Sequence, residues 1–161
     1  MPYVASYADD GKGLIRIGSG LVTSVELIVV ARQQLRDAER CRELHYGMVD
    51  FSSVTEFKVV PEDARNLAEL NRHLGKFVPR DTPIVIIASD VLIYAMARIW
   101  RTLTDDVGWI SHVARTRADG ITWLKEELVA RGEGPAAIDQ YPDLLHYEET
   151  HVTDDEVVIP E

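Results

Sequence analysis

The stretch Asp50-Phe51-Ser52-Ser53-Val54-Thr55 sets one carboxylate and three hydroxyls directly behind an apolar run that begins at Tyr46. These residue types could accept a phosphoryl group or hold a ligand or partner at the C-terminal end of a strand, where open α/β sheets bind theirs. They could equally close an Asx or ST turn, the ordinary use of Asp and Ser after a strand. Ser89 and Asp90 stand in the same relation to a second apolar run, PIVIIA. Arg98 and Arg101 could grip an anion or an acidic surface through the bidentate guanidinium fork, or simply remain solvated helix-face charges.

Other groupings fall short of a constellation. GSGLVT lies between a strand and a helix pattern, but threonine takes the place of the third glycine of a phosphate-cradling G-x-G-x-x-G, and the next strand-end acid, Asp50, is 30 residues past Gly20 instead of about 20. A tight turn that needs glycine's freedom is the simpler reading. Cys41 and His45 straddle a helix end and a strand start, without an Asp or Asn placed to orient the imidazole as a nucleophile's base requires. His112, inside a strand pattern, reads as a satisfied core polar group, and Trp100 and Trp109 as core or interface packing. HYEETH gathers His146, Glu148, Glu149 and His151, yet it is not the helical H-E-x-x-H pattern that puts two imidazoles on one face. Paired acid and base positions, a phosphate loop and metal spacing are all missing, so the residues argue for a non-enzymatic protein with no metal and no cofactor.

The elements that must position these residues alternate in type. PYVASYA and LIRIGSG flank the turn-rich DDGKG, which predicts a β-hairpin. Thr23 and Glu26 have capping-box spacing, with Val22 and Leu27 at the staple positions, so a helix is expected over 24–38 with Val25, Ile28, Val29 and Leu35 inward. LHYGMVDF predicts a strand closed by Asp50. Pro61 with Glu62 and Asp63 opens a second helix, its apolar face Leu67, Leu70 and Leu74 and its C-cap Gly75. PIVIIA, apolar throughout, is expected as the central strand, over 84–88, of a parallel sheet. Ser89 or Asp90 caps a third helix with Leu92, Met96, Ile99 and Leu103 inward; WISHVA is a further strand; Thr116 opens a last helix, carrying Ile121, Leu124 and Leu128, that Gly132 closes. The order β-β-α-β-α-β-α-β-α implies an α/β domain over 1–131, mostly parallel with an antiparallel N-terminal strand.

In this order GSGLVTSVEL, VDFSSVTEF and RADGITWLKEEL together resemble the STAS-like family, best known from bacterial anti-sigma-factor antagonists. The resemblance covers residues 3–131 and is one of layout: a Val-Thr strand-to-helix junction, an Asp closing the third strand, and the Trp123-Leu124 pair in the last helix. SDVLIYAMARIW is similar to a poorly characterised bacterial branch of the fold. The resemblance implies a four-helix α/β domain working as a regulatory or protein-interaction module. Switch members carry an Asp-Ser-[Ser/Thr]-Gly phosphorylation box near where this chain reads FKVV, at Phe57 to Val60, so regulation here is expected not to use the usual phosphoserine. The alternative is a small-ligand carrier or sensor, its apolar or anionic molecule held near Asp50, Ser52, Ser89 and Asp90.

Composition sets outer limits. At 161 residues, 46% apolar and 27% charged, the chain has the size of one globular domain. One cysteine permits no intrachain disulfide, and no leader pattern opens the chain, so a cytoplasmic location is expected. No apolar run approaches the roughly 20 residues of a membrane span. Residues 132–161 hold 9 of the 27 acids and none of the 17 bases, which leaves the domain nearly neutral and argues against nucleic-acid partners. A protein partner, a second copy or a small molecule remains. The acidic segment 132–161 reads as a partly ordered tail, with 138–147 packed on the domain or on a second subunit through Tyr141, Leu144, Leu145 and Tyr147, and 153–161 mobile.

Overall fold

The computed structural model describes residues 3–133 and 148–150. Strands β1 (Tyr3–Ala8) and β2 (Gly13–Thr23) form the expected hairpin. Helix α1 (Ser24–Arg36) starts at the full reciprocal capping box of Thr23 and Glu26 and ends at Arg36, two residues short of the expected end, with Asp37 as its C-cap before a 3-10 turn (Ala38–Glu43). There follow β3 (Tyr46–Lys58), α2 (Pro61–Gly75), β4 (Pro83–Ile87), α3 (Val91–Leu103), β5 (Ile110–Ala114), α4 (Arg117–Ala130) and the short β6 (Glu148–Thr150). The strands lie in the order β5-β4-β3-β2-β1-β6, with β1 antiparallel to both neighbours and β2 to β5 parallel. This is the expected α/β architecture.

Alternation along the strands assigns each side chain to a face. Val49, Phe51 and Ile86 pack under α1, α2 and α3 with Val29, Ala68, Ile93 and Trp100. Ile15, Met48, Val85 and Ile87 pack against Leu124 and Leu128 of α4. A Cβ on Gly120 would stand 2.8 Å from Ile87, so α4 lies flush on β4 only with glycine there. Among the described residues no helix is long and apolar enough to cross a membrane.

Several expectations change. β4 is an interior strand but second from the β5 edge; the middle of the sheet is β2 and β3. An apolar run reports burial on both faces, and a penultimate strand meets that condition as well as a central one. Asp50 does not close its strand, because β3 runs eight residues further to Lys58, paired with an equally extended β2. GSGLVT is accordingly strand, and Gly20, at φ 61°, sits in the bulge where the register slips. Gly75 ends α2 without a positive φ, and its missing side chain makes room for Val107. On α3 Met96 and Leu103 face inward as expected, but Ile93, Ala97 and Trp100 complete the inner face and Leu92 and Ile99 are exposed at 55% and 38%. The expectation for 138–147 and for 153–161 concerns residues outside the described ones; Glu148 to Thr150 extend the sheet edge beside β1.

Candidate functional site

Asp50 sits opposite Ile87, the last residue of β4, so it stands where β3 leaves the shared sheet and continues with β2 alone. Its side chain is 1% exposed and ionically paired. Oδ1 accepts the Ser52 N–H at 2.8 Å, and Oδ2 accepts from Arg117 Nε at 2.9 Å. Arg117, in the first turn of α4, also donates from Nη2 to Ser52 Oγ at 3.1 Å. Asp50 and Ser52 are therefore brought together, closed by a guanidinium that the sequence places 67 positions away. Asp50 makes the local Asx-type contact to the backbone two residues on, within a strand and not a turn.

The other candidate residues separate. Ser53 and Thr55 lie further out on β3, exposed, with Ser53 opposite Ser19. Asp90 caps α3, its Oδ1 accepting from Leu92 N at 2.8 Å and Ile93 N at 3.2 Å. Ser89 is exposed, and its backbone oxygen accepts from Arg115 at 3.4 Å. Arg98 and Arg115 both face the Tyr94 ring, at 5.8 and 4.7 Å from its centroid. Cys41 and His45 make no dyad: Cys41 is fully buried beside Tyr7, with burial pushing its thiol pKa up, while His45 Nδ1 faces Glu133 at 3.0 Å. His112 is half-buried, stacked on Trp123 at 5.1 Å and not a core group. Trp100 and Trp109 stack at 5.7 Å. Among the described residues no three potential ligands could hold a metal ion.

A second region was not visible as a motif. Between the sheet and α1, α2 and α3 lies a partly open cavity of about 60 Å³. Its walls are apolar, among them Val30, Phe51, Leu67, Ile93, Met96 and Trp100, and four polar side chains enter: Tyr3, Arg16, Gln34 and Asn71. Arg16 projects to this face because it alternates with Ile15, which faces α4. Gln34 is 4% exposed and neither of its amide atoms has a protein partner; the same holds for Arg16 Nε. Asn71 is 3% exposed and donates to Leu67 O at 2.8 Å. Burial raises the Tyr3 pKa, opposed by the charge and hydrogen bond of Arg16. One sequence signal did exist: Arg16 is the single charge in LIRIG, a strand otherwise apolar on both sides of it.

The chain is thus an α/β protein with a mixed sheet, three helices on one face and one on the other. No family model matches it, and neither a curated protein nor a solved structure was found to match.

Proposed function

We propose that this chain is a non-enzymatic binding module that takes a small, largely apolar molecule between its sheet and the three helices α1, α2 and α3. The observation that carries the reading is the cavity, in which the Gln34 amide is buried without a protein partner. Burying an amide unpaired costs about 1–3 kcal/mol, and a ligand group that meets it recovers part of that cost. Apolar walls with a few convergent polar groups are the usual make-up of small-molecule sites. The open space accommodates several water-sized positions at roughly 10–15 Å³ each, so a small ligand fits as the helices stand and a longer one must part them.

This reading keeps the carrier or sensor alternative and moves its site from the strand ends, where the Asp50 and Asp90 carboxylates already hold backbone and guanidinium donors, to the interior. It is tested by native mass spectrometry of the full chain from its own host, followed by amide chemical-shift titration with 3-phenylpropan-1-ol and 3-phenylpropanoate. A co-purified small molecule, or saturable shifts at Val30, Phe51 and Ile93 with either probe, supports it; the absence of both overturns it.

A second reading, the STAS-like regulatory module, draws on the outer side of α3. Val91 is 72% exposed, with Leu92 and Ile99 also outward and Arg98 beside them. An apolar strip on the helix whose opposite face lines the cavity suits a protein partner that senses occupancy. Leu92→Glu then abolishes partner capture and leaves small-molecule binding intact.

A further inference from the structure

The polar end of the cavity defines what its ligand must carry, and this inference rests on the binding reading above. Arg16 is a permanent cation on the central strand β2. Among the described residues no carboxylate is paired with it, and the titratable groups that face it are the Tyr3 and Tyr7 hydroxyls and the Cys41 thiol. Burial pushes all three upward, so they supply no negative charge to it near neutral pH. Arg16 is half-buried with its Nε shut off from water and without a protein partner, and an opposite charge that reaches it recovers part of that desolvation cost.

From this arrangement we propose that the cavity is a site for a small monocarboxylic acid, its carboxylate on Arg16 and the Gln34 amide and its hydrocarbon or aromatic body against Phe51, Leu67, Met96 and Trp100. Arg16 Nε and Gln34 Nε2 are buried donors without protein partners at the same cavity, and a carboxylate accepts from two donors at once. One guanidinium neutralises one charge, so a phosphate monoester or dicarboxylate would bring in a second charge with no second cation among the lining residues to meet it. The walls in turn disfavour a small polar acid, which would leave the apolar surface unfilled.

The test compares 3-phenylpropanoate with 3-phenylpropan-1-ol, which share a body and differ in charge, by chemical-shift titration of the full chain near neutral pH. The acid is expected to bind at least tenfold more tightly to the native protein. In Arg16→Met the acid loses that preference while the alcohol binds as before; in Gln34→Leu the acid weakens severalfold. Equal binding of the two probes to the native protein, or an acid preference that survives Arg16→Met, overturns the carboxylate assignment and leaves the cavity reading standing. Binding of neither probe overturns the carboxylate assignment, and overturns the cavity reading as well when no small molecule co-purifies. Should Arg16→Met fail to fold, Arg16→Lys is read in its place, where loss of the guanidinium fork weakens the acid severalfold and the alcohol not at all; an unchanged acid affinity there overturns the assignment.

Discussion

The two polar regions of this domain lie on opposite faces of the same sheet and differ in how their groups are met. On the α4 face Asp50, Ser52 and Arg117 satisfy one another at 2.8–3.1 Å. On the three-helix face Arg16 Nε and both amide atoms of Gln34 lie buried at an apolar cavity without a protein partner. The first region has the residue types of a site and the energetics of a brace, tying the end of β3 to the start of α4. The second has no motif and the energetics of a site. Polar satisfaction, not the presence of polar residues, separates the two.

The largest effect expected on this contrast is in the brace. Asp50→Ala leaves the Ser52 N–H and the Arg117 guanidinium without their carboxylate; because Arg117 is 43% exposed, the loss is discounted from the buried-pair range to about 2–3 kcal/mol. Urea denaturation measures it. A loss below about 0.5 kcal/mol would mean that the cluster is not a brace, and the contrast would dissolve. Next comes the cavity wall. Ala97→Leu extends a side chain into the space and is expected to weaken probe binding at least tenfold, about 1.4 kcal/mol, with the thermal midpoint little changed; unchanged binding would place the probe elsewhere.

Gln34→Leu sharpens the same contrast with the opposite sign. Removing an unmet amide is expected to leave the protein as stable or about 1 kcal/mol more stable, as read by the urea midpoint, whereas a clear destabilisation would show that Gln34 is already met. The smallest effect is pH-dependent and falls on the α4 face. Burial and the Arg101 charge lower the His112 pKa from its ordinary 6.5, against a weaker pull from Asp119. The folded state therefore disfavours the imidazolium, and stability declines as pH falls below about 6.5, where the unfolded chain takes up the proton first. His112→Gln should flatten that part of the profile, leaving the slope from the other groups.

Local signals carried well from sequence to structure. Thr23, Pro61, Asp90 and Thr116 start the four helices as expected, and Gly132 follows the last with φ 75°. Each depends on atoms within a few residues, so the chain states them directly. On α3 Met96 and Leu103 face the core as expected, while Leu92 and Ile99 give way to Ile93 and Trp100 one position on, a choice that the periodicity leaves open and only the direction of the sheet makes. The length of β3 was missed because its second half, SSVTEFK, is mostly polar and is held as strand by its pairing with β2.

The amino-acid sequence by itself determined the element order, the helix starts and the class of fold, since capping, apolar periodicity and turn chemistry act over short spans. Tertiary structure alone decided what the polar residues do. Arg117 reaches Asp50 across 67 positions, and the cavity joins Arg16 of β2, Gln34 of α1 and Asn71 of α2, three residues with no common spacing. Whether a polar group is spent on the protein or left for a ligand depends on which distant groups reach it, and that is settled only when the sheet and helices close around it.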